Sequence, residues 1–125
     1  MRKIFFSIIT ALVMHSGFGQ VNNTSQTTLD SISAIVIHYM QAKQADSIYA
    51  LAGEQFRSKI SAADFRSISD TQVFPLNDFK NVTYVSTTNG ISKYKIAGTP
   101  DLQLFISLDE ENKLATLLIQ TYSDN

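Results

Sequence analysis

The apolar residues of this chain change their spacing once, near residue 73, and no other feature constrains the fold as much. Before that point they recur at three- and four-residue steps, the period of one face of a helix. After it they alternate, the period of a strand with one buried face. Helices gathered first and strands second leave no helical crossovers to join parallel strands. The order therefore predicts an α+β fold, with N-terminal helices packed on a four-stranded antiparallel meander.

In the helical half, Leu29, Ile32, Ile35, Val36, Tyr39 and Met40 predict a helix over 29–41, with Thr28 as its cap. Asp46 is placed to cap a second short helix carrying Ile48, Tyr49 and Leu51, and Gly53 to end it. A further turn of helix is expected from Phe56 to Ile60. Ser61-Ala62-Ala63-Asp64 resembles a capping box with Asp in place of Glu, and opens a third helix bearing Phe65 and Ile68. Val73 to Asp78, with Pro75 inside it, reads as a loop.

In the strand half, Phe79 to Thr87 and Ile91 to Ala97 flank Asn89-Gly90, a dipeptide whose tolerance of positive φ makes it a strong hairpin signal. Gly98-Thr99-Pro100-Asp101 forms the next turn. Leu102, Leu104, Ile106 and Leu108 alternate, which predicts one buried and one wet face. A charged turn at 109–112 leads to a last strand from Leu114 to Tyr122.

The first nineteen residues read as an export signal. Arg2 and Lys3 are the positive start, Ile4 to Met14 the apolar segment, and Gly17 and Gly19 the small residues before a cut after Gly19. The apolar run is roughly 11 residues, short of the ~20 that span a bilayer. With no cysteine in the chain, no lipid anchor on a cysteine follows. The expectation is a periplasmic or secreted bacterial protein, with a flexible polar tail over 20–28, one domain over 29–122 and a frayed C-terminus at 123–125. Asn22, Asn23 and Asn81 begin glycosylation sequons that are incidental in a bacterial chain.

Composition excludes several chemistries. Without cysteine there are no disulfides, thiol nucleophiles or zinc–thiolate sites. The lysines and arginines are scattered, so the basic stripe that nucleic acid needs is missing. No glycine-rich phosphate loop and no metal-ligand spacing appears, so no metal or cofactor is expected. His38 is the one histidine after the signal and reads as a helix-surface or partly buried residue. Ser92-Lys93-Tyr94-Lys95 and Ser123-Asp124-Asn125 fit two serine beta-lactamase motifs, but Ser92 falls in a strand, where positions three apart face opposite sides. That pairing is read as coincidence.

A family resemblance runs through the apolar and turn positions. It is carried by Asp46-Ser47-Ile48-Tyr49-Ala50-Leu51, Phe56, Phe65 and Pro75-Leu76, by Gly90 to Ile96, by Leu104 to Asp109, and by Lys113 to Tyr122. These stretches resemble a small domain of unknown function found ahead of bacterial serine beta-lactamase-like hydrolases. That domain is similar to the nuclear-transport-factor-2-like, or cystatin-like, superfamily. Thr116 and Thr121 depart from its pattern, standing where Gly and Pro are expected, and no hydrolase sequence follows.

The resemblance implies a curved sheet wrapped around helices as a cone with a pocket. It also implies a non-catalytic accessory domain that binds a small apolar ligand or a protein partner, a homodimer through the sheet face being one form of partnering. Two alternatives stay open. One is a small isomerase- or dehydratase-like enzyme using a pocket Asp and Tyr. The other is a stand-alone remnant of a hydrolase accessory domain. The pocket candidates implied by the cone are Tyr39, Tyr49, Asp64, Tyr84 and Tyr94.

Overall fold

The structure is a computed structural model and describes residues 25–123. The export signal, its cleavage point, the sequons at Asn22 and Asn23, and Asp124-Asn125 lie outside the described residues. Within them, four α-helices precede a four-stranded antiparallel sheet of order β1-β2-β3-β4, the expected α+β class.

Helix α1 spans Gln26–Gln41. It starts before Leu29, because Ser25 rather than Thr28 is the cap: the Ser25 hydroxyl accepts from the Thr28 N–H at 3.2 Å. The end of the expected tail is therefore helical. The buried stripe is Leu29, Ser33, Val36 and Met40. Ile35, expected on that face, points outward and is 39% exposed.

Helix α2 spans Ala45–Ala50 and begins without a side-chain cap. Asp46 lies in its first turn and accepts from Arg66 Nε at 2.9 Å, so it ties α2 to the fourth helix instead of capping. Gly53 does not end α2; it precedes α3, Glu54–Lys59, as its N-cap. Arg57 on α3 reaches back to the carbonyls of Tyr49, Ala50 and Ala52, satisfying acceptors that the end of α2 leaves open. Helix α4, Ala62–Ile68, starts at the predicted cap, with Ser61 Oγ accepting from the Asp64 N–H at 3.1 Å.

The expected loop after residue 73 is more ordered than its proline suggested. Helix α4 runs into a π-helical turn, Ser69–Val73, and then a 3-10 turn, Phe74–Leu76. Pro75 sits at the start of that turn, where its missing N–H costs nothing. Val73 and Phe74 are buried, which anchors the segment to the core.

Strand β1 spans Val82–Thr88, β2 Ile91–Ile96, β3 Leu102–Leu108 and β4 Leu114–Thr121. β1 begins after Phe79, whose φ of 58° is incompatible with a strand and whose ring is fully buried. Asn89 and Gly90 take φ of 54° and 77°, the left-handed pair the hairpin needs. The core lies between the helices and the sheet face bearing Tyr94, Ile96, Leu102, Leu104, Ile106 and Ile119.

β3 departs from the expected wet face. Gln103 and Ser107 are 6% and 8% exposed, because β3 is central, with β2 and β4 on its flanks. Gln103 satisfies its amide by donating to Gln120 Oε1 at 2.8 Å and accepting from the Ser123 N–H.

The two sheet edges differ. At the start of β4, Leu114 donates to the Leu51 carbonyl at 2.8 Å and accepts from the Gly53 N–H at 2.9 Å, so the α2–α3 link closes that end. β1 has β2 on one side and no described strand on the other.

Candidate functional site

The sequence candidates do not converge on one pocket. Asp64 is exposed in the first turn of α4. Tyr39 is half-buried on α1, its ring 5.8 Å from that of exposed His38. Tyr49 is half-buried among Phe56 and Phe65, with the Arg57 guanidinium over its ring, and its hydroxyl donates to the Ile60 carbonyl. Its polar end is thus spent on holding the chain.

Tyr84 and Tyr94 do meet. They are paired across β1 and β2, and their rings lie edge to face at 5.6 Å. Tyr84 is half exposed and Tyr94 is 8% exposed. Around them gathers a cluster of hydroxyls that sequence reasoning missed. Thr87 Oγ1 is its hub: it bonds the Tyr84 hydroxyl at 2.7 Å and the Ser92 hydroxyl at 2.8 Å, and accepts from Gln26 Nε2 at 3.2 Å. One donor and two acceptor positions are all a threonine hydroxyl has, so Thr87 is saturated. Gln26 also donates to Asp30 at 2.7 Å, which ties the first turn of α1 to the sheet.

Burial pushes the Tyr94 phenol above its ordinary pKa of 10, and Ser33 and Ser92 oppose the shift. Ser33 is completely buried, yet its hydroxyl makes no bond of proper geometry, so its influence on Tyr94 is proximity and not a formed hydrogen bond. The signal for this cluster was present: Ser33 interrupts the apolar stripe Leu29–Val36–Met40, and Ser92 precedes Tyr94 and Ile96 on the inward face of β2.

A protonated phenol and a set of hydroxyls donate and accept hydrogen bonds. No carboxylate among the described residues is buried. No group of three or more His, Asp or Glu among them could hold a metal ion. Ser92 faces inward on β2 and is fully buried, with Lys95 on the opposite face, so the Ser-x-x-Lys pair cannot act as a nucleophile and base.

Between the helices and β4 lies an apolar cavity of about 30 Å³, lined by Met40, Ile48, Phe65, Val73, Leu117 and Ile119 among others. None of the sequence candidates lines it. A cavity that size takes one or two water-sized groups. Pockets for drug-sized ligands are typically ~300–1,000 Å³.

No helix among the described residues is long and apolar enough to cross a membrane. No family model, curated protein or solved structure matches this chain.

Proposed function

We propose that this chain is an exported, non-catalytic binding domain of the cone-like, nuclear-transport-factor-2-like kind, and that its ligand is a protein docking along β1. One observation carries the reading. β1 is a seven-residue strand with no described strand on its outer edge, and Tyr84 and Val85 are exposed on it at 49% and 41%. An open edge of that length offers a row of unpaired N–H and C=O groups, the template for strand addition.

The small-ligand form of the reading has less support, because the apolar cavity would have to widen about tenfold to reach the lower end of ordinary ligand pockets. The enzyme reading lacks its buried carboxylate among the described residues. If the domain is a remnant, a separate hydrolase is the docking protein, and the surface is the same.

The test combines two measurements on protein produced from the full sequence. A thermal-shift screen covers lipids, steroids, cell-wall fragments and beta-lactams, and affinity capture from the cell envelope compares wild type with Val85→Lys. The account expects no ligand-induced rise in Tm, and capture of a partner that the variant loses. A dose-dependent rise of several degrees, with capture indifferent to Val85→Lys, would replace it with the small-molecule reading.

A further inference from the structure

The structure carries an inference that rests on this docking reading and names the occupant: we propose that β1 pairs antiparallel with β1 of a second copy, making one continuous eight-stranded sheet.

Three observations favour self-pairing. First, no residue from Asn81 to Ser92 is charged, although charged residues are 17% of the chain. Natural edge strands are usually guarded by lysine, proline, an inward charge or a bulge, and of these β1 has only the irregularity between Tyr84 and Ser86. A strand that pairs with itself must avoid like charges facing one another, and an uncharged strand does so in every register.

Second, the sequence suits its own reverse. Full antiparallel overlap of Val82–Thr88 sets Val85 opposite its own copy on the two-fold axis. A β-branched residue facing its own copy is a favourable cross-strand combination. Val85 has no partner on β2, because the register shifts between Tyr84 and Ser86, so its exposed side chain is free to meet its twin.

Third, the other edge is occupied at its first residue, Leu114. The start of β4 is bonded to Leu51 and Gly53. A β1–β4 contact would run head to tail into an open filament, whereas a β1–β1 contact is isologous and closes as a dimer. The shared surface is one strand wide, so association on the order of micromolar is expected, not a permanent dimer.

The test is light scattering coupled to gel filtration, on protein from the full sequence over a range of loading concentrations. Wild type should move from monomer to dimer as concentration rises. Val85→Lys places two like charges together on the axis and should weaken the dimer by at least about tenfold. Val85→Glu should do the same, and an equimolar mixture of the two variants should recover dimer. Circular dichroism and Tm matched to wild type show that the variants are folded; Val85 is exposed, so they should be. A wild type that stays monomeric, a dimer indifferent to both charges, or a mixture that fails to recover dimer overturns the inference. The docking reading fails separately: if wild type is monomeric but capture from the envelope is still lost with Val85→Lys, the edge serves another protein, and if capture is also unchanged, both ideas fall.

Discussion

The Tyr49 hydroxyl donates to the main-chain carbonyl of Ile60 at 2.7 Å, joining the end of α2 to the residue that closes α3. Ile60 is 8% exposed, so its carbonyl has little access to water as an alternative partner. The same tyrosine stacks against Phe56 and Phe65 and lies under Arg57. One side chain therefore pins three short helices, each too short to hold its own shape in isolation.

Tyr49→Phe keeps the ring and removes the donor. The expected loss is about 1–2 kcal/mol, or roughly 4–16 °C in Tm for a domain of this size. Thermal denaturation by circular dichroism reads it directly. A Tm within a degree of wild type would mean that water satisfies the Ile60 carbonyl.

Ser33→Ala should act the other way. The buried hydroxyl has no bond to lose, so its removal is expected to leave stability unchanged or raise it by up to about 1 kcal/mol. Urea unfolding at matched conditions checks this. A loss above about 1 kcal/mol would show that the contact with Tyr94 is a formed hydrogen bond in solution.

Gly53 is close-packed for a steric reason and not a conformational one, since its φ is −84°. A methyl group there would run into the Asp109 carboxylate and press on Lys113 Cβ at 3.3 Å. Asp109 cannot swing away freely, because its other oxygen accepts from the N–H groups of Glu111 and Lys113. Gly53→Ala should cost about 1–3 kcal/mol, measured by urea unfolding. Gly53→Ala combined with Asp109→Ala should be less than additive, because the second change removes the clash.

Tyr94 gives the fold a dependence on alkaline pH. Its folded pKa lies above its ordinary value of 10, mainly through burial. In that window the unfolded chain gives up the phenolic proton first, so the folded state holds more protons and stability falls as pH rises. The contribution is intact below pH 10 and is lost as pH climbs toward the folded pKa. Tyr94→Phe should remove a late component of the phenolate absorbance titration and flatten the alkaline decline in Tm. An absorbance titration left unchanged by Tyr94→Phe above pH 10 would contradict the burial.

How much of this was legible depends on the range of the interaction that decides each feature. The Asn89-Gly90 turn and the Ser61 cap were readable because each is settled within three or four residues of chain. Asp46 and Gly53 carry the residue types of a helix start and stop, but longer-range partners claimed them: Arg66 for the carboxylate, Leu114 for the glycine N–H. The π-helical turn after Ile68 could not be read locally, because burial of Val73 and Phe74 holds it in place. The candidate site shows the same division. Tyr84 and Tyr94 face each other through a hairpin that the sequence announces, whereas Gln26 and Ser33 join them only because α1 crosses that end of the sheet. The wet face expected of β3 failed because alternation reports which residues are apolar, not which strand is central.

The central claim is that the open edge of β1 pairs with β1 of a second copy. Amide hydrogen exchange, followed residue by residue at low and high protein concentration, tests it most directly. The account predicts added protection at high concentration confined to amides of Val82–Thr88 whose N–H groups point away from β2, with β3 and β4 unchanged. Added protection centred on Phe105 and Leu118, or none at any concentration, would contradict it.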